Sequence, residues 1–339
     1  MKKILYSLLV IAIVVTSISA LSAQNNKHYK VEKILKIGGM GRWDYLAVHK
    51  NYLYISHGNQ VNVVNKNNGA PISIMSGTTG VHGIAFVPEL NKGFISDGRI
   101  DSVTVFDLST NKVLSKIATG KDPDAIMYDD YSKKIITCDG HSNGLSVIDP
   151  ITEKVVATID LGGKPETAVS DNAGKLYVNI ENKSQIAEVD LKTNQVLNHW
   201  SLSPAESPSG LAFDTKTERL FAGCDNNLLV VMDATNGKIV TTLPIGSGCD
   251  GVAFDAKSKH IFSSNGEDGN ITIIKEKSKD NFVVEQNLIT KKGARTIALD
   301  EETHKIYLPT ADFETNKTVG KRPTSIPDTF QVLVVEDKH

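Results

Sequence analysis

KDPDAIMYDDYSKKIITCDGHSNGLSVIDPITEKVVATIDLG, residues 121–162, holds four short apolar runs at 125–128, 135–138, 145–148 and 155–159. Turn-forming segments separate them: Asp129-Asp130-Tyr131-Ser132-Lys133, Asp139-Gly140-His141-Ser142-Asn143-Gly144 and Asp149-Pro150-Ile151-Thr152-Glu153. Runs of this length, rich in β-branched and aromatic residues and bounded by such breakers, predict strands joined by hairpins. A single four-stranded sheet buries little by itself, so it has to stack on others of its kind.

Those others are present. The first run of the unit recurs around Ala47, Ala85, Met127, Val169, Ala212, Ala253 and Ala298, at steps of 38, 42, 42, 43, 41 and 45 residues. An Asp closing the third run recurs at Asp107, Asp149, Asp190 and Asp233, with Lys112, Lys154, Gln195 and Lys238 five positions on. A period near ~40 residues with four strands per repeat is the pattern of a propeller blade. The fold expected is all-β: a seven-bladed β-propeller of four-stranded antiparallel blades. Residues 29–37 resemble an outermost strand with no blade of its own, and the last unit supplies only three strands. The N-terminal strand is therefore expected to complete the last blade and close the ring, which removes two exposed sheet edges.

Residues 1–23 stand apart from the repeats. Lys2 and Lys3 precede an apolar run from Ile4 to Val15, and Ser17, Ser19, Ala20, Ser22 and Ala23 follow it. This is the layout of a secretory signal peptide cut after Ser22 or Ala23; the run is short for an anchor helix that stays in the membrane. The expected organisation is a signal peptide at 1–23 and one propeller domain at 24–339, periplasmic or secreted, monomeric, with no transmembrane segment after cleavage. Without Lys2 and Lys3 the chain carries 35 basic and 39 acidic residues, a net charge of −4. That balance argues against a nucleic-acid partner. Cys138, Cys224 and Cys249 form no zinc or haem-attachment spacing. Export permits a disulfide, and Cys224 with Cys249, on neighbouring units, is the expected pair.

In a propeller the loops leading into each innermost strand share one face with the loops between second and third strands. The opposite, bottom face carries Asp and Lys turns, which read as ordinary turn chemistry. On the top face the units diverge. Three positions before the aligned core residue stand Asp44, His82, Asp124, Glu166, Ser209, Asp250 and Arg295. A position that is polar throughout yet different in every repeat suits a site grafted onto a scaffold, or else a wet channel rim. Trp43, His57 and His141 fall on the same face. The candidate ligand-binding set is accordingly Asp44, His82, Asp124, Glu166, Asp250, Arg295, Trp43, His57 and His141. A divalent metal would be held by His82, Asp44 and Asp124, because imidazole with carboxylates suits Zn, Mn or Fe. Arg295 is expected to form a separate anion contact beside Lys321 and Arg322, in a long insertion at 310–329. There is no nucleotide motif, no CxxCH for haem and no GxSxG elbow.

The units resemble YVTN-type repeats, and the chain is similar to the YncE-like exported propellers of bacteria. The resemblance rests on Lys175-Leu176-Tyr177-Val178-Asn179, Lys305-Ile306-Tyr307-Leu308, Ser146-Val147-Ile148-Asp149 with Thr152 and Lys154, and Ala157-Thr158-Ile159 before Gly162. It covers all seven units and implies the propeller fold; it names no reaction and no catalytic residue. Two functions stay open. One is an exported binding or scaffold protein holding a small molecule or a protein partner at the mouth of the central channel. The other is a metal-assisted hydrolase or lyase of lactonase-like propeller type using the same mouth.

Overall fold

The computed structural model describes residues 28–314 and 323–338. Among them are seven four-stranded antiparallel sheets and no α-helix. Blade three is the unit quoted above, built from Pro123–Asp129, Lys134–Asp139, Gly144–Asp149 and Lys154–Asp160 in that order. Each strand runs beyond its apolar core by one or two polar residues. The flanking Asp and Lys pair through their backbones, as Asp149 does with Lys154, and that pairing is blind to side-chain polarity.

The core lies between blades. Ile135 packs with Phe94, Val103 and Val105 of blade two, whereas its neighbour Ile136 packs with Leu176 and Val178 of blade four. Successive strand residues point to opposite faces. Because both faces are covered, the second and third strands read as continuous apolar runs. The outermost strands, such as Val113–Ala118, are half open to solvent.

The ring closes as expected. Tyr29–Lys36 pairs antiparallel with Gln331–Asp337, placing Tyr29 opposite Asp337 and Lys36 opposite Gln331. Blade seven is thus Ala298–Asp300, Lys305–Thr310, Gln331–Asp337 and the N-terminal strand. The closing strand is also pinned to blade six. The Tyr29 backbone N donates to Gln286 Oε1 at 3.1 Å, Gln286 Nε2 donates to the Tyr29 carbonyl at 2.8 Å, and the Tyr29 hydroxyl lies 3.0 Å from His260 Nδ1.

The bottom turns behave as turn chemistry. Asp149 accepts the backbone N–H groups of Ile151 and Thr152 at 2.9 Å each, and takes Lys134 Nζ at 2.9 Å. The expected disulfide is absent: Cys138, Cys224 and Cys249 are all buried free thiols. The cause is strand alternation. Cys249 packs over Gly223, where an added Cβ would stand 2.4 Å from its Sγ. Cys224 is the next residue, so it points to the opposite face and packs with Tyr177 and Leu211 in the interface of blades four and five. The signal segment at 1–23 lies outside the described residues.

Candidate functional site

In six blades the innermost strand slips register just where the chain passes the top of the channel: between Trp43 and Leu46, Val81 and Ile84, Pro123 and Ile126, Pro165 and Ala168, Pro208 and Leu211, and Cys249 and Gly251. A bulge breaks the ladder locally and re-aims a side chain. Proline tolerates this position in three blades because the bulge has no use for its missing N–H. Asp44, His82, Asp124, Glu166, Ser209 and Asp250 lie in these slips, so the backbone irregularity recurs at the mouth ring.

The ring is stitched from blade to blade. His82 Nδ1 is 2.6 Å from Asp44 Oδ2 and 3.5 Å from Asp124 Oδ1. Arg295 Nη1 reaches Asp44 Oδ1 at 3.3 Å and also binds Asp250, while Nη2 donates to the Trp43 carbonyl at 3.0 Å. Ser209 Oγ donates to Asp250 Oδ1 at 2.7 Å. An unbroken polar chain therefore runs through blades three, two, one, seven, six and five. In blade four, Glu166 is held by Lys164 at 2.5 Å, and Lys164 also takes Glu181 at 2.5 Å.

Asp44 and Asp250 share a guanidinium, and Glu166 has an ammonium. Asp124 has neither. Its Oδ1 is buried and accepts no hydrogen bond, and the nearest cationic atom is a His82 nitrogen already turned to Asp44. Burial, and then the Asp44 charge, push the Asp124 carboxyl well above its usual range; burial and the Asp124 charge do the same to Glu166. Burial alone would lower His82, but the Asp44 hydrogen bond and the charges of Asp124 and Asp44 outweigh it and hold the imidazole at about 9. Among the described residues the one cationic group beside Asp124 is thus an imidazole that it shares with Asp44.

Two participants were not singled out from the repeats. Lys164 sits two residues before Glu166, and only folding reveals that it spans to Glu181. Tyr45 occupies the layer just below the ring, where the other units carry Gly83, Ala125, Thr167, Gly210, Gly251 and Thr296. Neighbouring innermost strands crowd there: a Cβ on Gly83 would stand 2.8 Å from Ile126 Cγ2, and one on Gly210 2.5 Å from the Val252 N. The aromatic side chain of Tyr45 lines a channel cavity of about 200 Å³ with Ile84, Ile126, Met127 and Leu211. Burial, then Asp124, Asp44, Asp250 and Glu166, push its hydroxyl pKa far up, so it stays protonated. Six small residues against one tyrosine is a signal legible one position beyond the ring.

Other expected residues take different places. Arg295 belongs to the ring, but as the internal partner of Asp44 and Asp250 rather than a separate anion contact. Lys321 and Arg322 lie outside the described residues. His57 is 2% exposed, stacked on Phe330 with ring centroids 4.1 Å apart and packed under Gly39; it is wall rather than rim, because glycines at 39 and 41 let the chain cover it. Trp43 wedges between Phe313 and Phe330, and its indole N–H donates to the Gly293 carbonyl at 3.2 Å. His141 is exposed on an outer turn and faces Asp122 at 3.3 Å instead of a ring residue.

No protein-family model matches the chain, and no curated protein matches it. Among solved structures the fold is similar to a chain of Kuenenia stuttgartiensis hydrazine synthase, with TM-score 0.71 and 15% identity over 80% of this chain and 93% of that one. At that identity the likeness is one of fold. No helix among the described residues is long and apolar enough to cross a membrane.

Proposed function

We propose that this chain is an exported propeller that binds a small positively charged ligand at the mouth of its central channel. The observation that carries this reading is Asp124: its Oδ1 is buried and accepts no hydrogen bond, and its one cationic neighbour, His82 at 3.5 Å, is turned to Asp44, whereas Asp44, Asp250 and Glu166 are held directly by Arg295 or Lys164. A buried carboxylate oxygen with no donor is costly, and a bound cation relieves that cost. The cavity beneath, about 200 Å³, admits a small group and not a polymer. The signal-like segment at 1–23 supports export to the periplasm or medium, and the YVTN-type repeats support kinship with YncE-like propellers. Binding takes precedence over nucleophilic hydrolysis because the ring's one hydroxyl, on Ser209, donates to Asp250, whose carboxylate is already held by Arg295.

The test is thermal melting with added small cations, metal chlorides and methylammonium alike. A ligand that binds only the folded state raises Tm in proportion to RT ln(1 + [L]/Kd). Wild type should gain Tm with at least one of them. Asp124→Lys, which brings its own ammonium to the channel mouth, should gain nothing from the same additions. Equal gains in both proteins, or none in either, would remove the reading.

A further inference from the structure

We infer that Asp44, His82 and Asp124 form a divalent-metal site at the channel mouth. The inference rests on the cation-binding reading above and names the occupant.

The three donors come from three blades and converge. Asp44, His82 and Asp124 each offer one ligand atom, and these atoms lie within 4.8 Å of one another. Donors around one ion at about 2.1 Å stand roughly 3.0–3.4 Å apart, depending on whether the geometry is octahedral or tetrahedral. His82 Nδ1 lies 2.6 Å from Asp44 Oδ2 and 3.5 Å from Asp124 Oδ1, values that bracket the edge of such a polyhedron. Small side-chain rotations about bonds already in place would equalise them. The hydrogen now shared between Nδ1 and Asp44 departs when an ion takes its position.

One further feature supports the site. Asp124 Oδ1 is buried, lies 3.5 Å from His82 Nδ1 and accepts no hydrogen bond. On the other side of the imidazole, His82 Nε2 and Asp122 Oδ1 flank Gly98, and each would be 2.7 Å from a Cβ added there. Any larger residue at 98 would therefore disturb the imidazole. The ion pair that Asp122 itself makes is with His141, at 3.3 Å.

One imidazole with two carboxylates is a donor set for Mn²⁺, Fe²⁺ or Zn²⁺, too hard for Cu(I). Three protein donors fall short of a full coordination shell, which leaves positions for water or a ligand oxygen.

The probe is Co²⁺ added to the purified protein with any affinity tag removed. Its visible absorption reports the ligand set, and calorimetry with Mn²⁺ and Zn²⁺ gives stoichiometry. One ion per chain is expected, with a Co²⁺ spectrum that shows nitrogen–oxygen ligation. His82→Gln and Asp124→Asn should each weaken binding tenfold or more, while His141→Ala, on the exposed outer turn, should leave it unchanged. Circular dichroism melts of the variants separate loss of the site from loss of the fold, and Asp44→Asn is a further variant should one of them unfold. Loss of binding in His141→Ala but not in His82→Gln would overturn the proposal. If methylammonium raises Tm while no metal binds at one per chain, the site takes organic cations and the metal proposal falls alone. If no cation binds, both readings fall.

Discussion

His82 Nδ1 lies 2.6 Å from Asp44 Oδ2 across the boundary between blades two and one. Residues 38 positions apart in the chain meet because each sits in the same backbone slip of its own innermost strand. The contact lies at the rim, where Asp44 and His82 keep 14% and 28% of their side-chain surface, above the apolar interfaces that hold the blades together.

Replacing both residues by alanine should remove cation binding while the propeller stays folded and still melts cooperatively. The bottom-face comparison is Asp149→Ala. That carboxylate accepts two backbone N–H groups and one ammonium, and these hold its pKa down to about 2. Its loss should cost about 1–2 kcal/mol, as loss of a capping side chain does, and leave binding intact. Calorimetric melting and cation titration of both variants decide this. Normal binding in the double variant, or lost binding in Asp149→Ala, would put the site on the wrong face.

Deleting residues 24–37 should unfold or aggregate the protein. The deletion uncovers the edge of Gln331–Asp337 and strips Tyr29 from Phe262 and His260. Size-exclusion chromatography and a thermal melt are sufficient; a monomer melting like the intact chain would refute closure through the N-terminus.

Asp97 should impose a pH slope on stability. It is fully buried in blade two, where Thr104 Oγ1 donates to it at 2.5 Å and Lys116 Nζ lies 3.5 Å away. Burial dominates these contacts and lifts its pKa from 3.8 to about 6. Between these two values the folded protein holds a proton that the unfolded chain has released, so this contribution is fully present below about pH 4, is lost as pH rises to about 6 and is flat above that. A shift of that size corresponds to about 2–3 kcal/mol. Asp97→Asn should flatten urea-derived stability over that window; an unchanged slope would assign the effect to other groups.

All three thiols should react with an alkylating agent in denatured, unreduced protein, and slowly in folded protein. Burial raises each of them, Cys224 and Cys249 to about 12, so little thiolate forms at neutral pH. A mass showing only one modified cysteine after denaturation would restore the disulfide that strand alternation argues against.

Blade number, ring closure and the mouth positions were legible in the sequence because each depends on the repeat period alone. Aligning the units places Asp44, His82, Asp124, Glu166, Ser209, Asp250 and Arg295 at one level whatever their side chains do. The partnerships at that level were not legible. Arg295 reads as a free cation until the distance to Asp250 and Asp44 is known, and Lys164 reads as a loop lysine until it is seen to span Glu166 and Glu181. His57 precedes a turn-like Gly58-Asn59, so it reads as rim. The insertion that carries Phe330 over it cannot be folded from local pattern. The cysteine pairing failed for a related reason: neighbouring loops suggest proximity, whereas the period-two alternation of Gly223 and Cys224 decides which face each presents.

Anomalous X-ray scattering from crystals grown with Mn²⁺ shows directly whether a cation sits beside Asp124. The expected result is one strong peak per chain at the top of the channel, about 2.0–2.3 Å from His82 Nδ1 and from carboxylate oxygens of Asp44 and Asp124. A map with no peak at the mouth, or with its strongest peak on the bottom turns, would contradict the metal site.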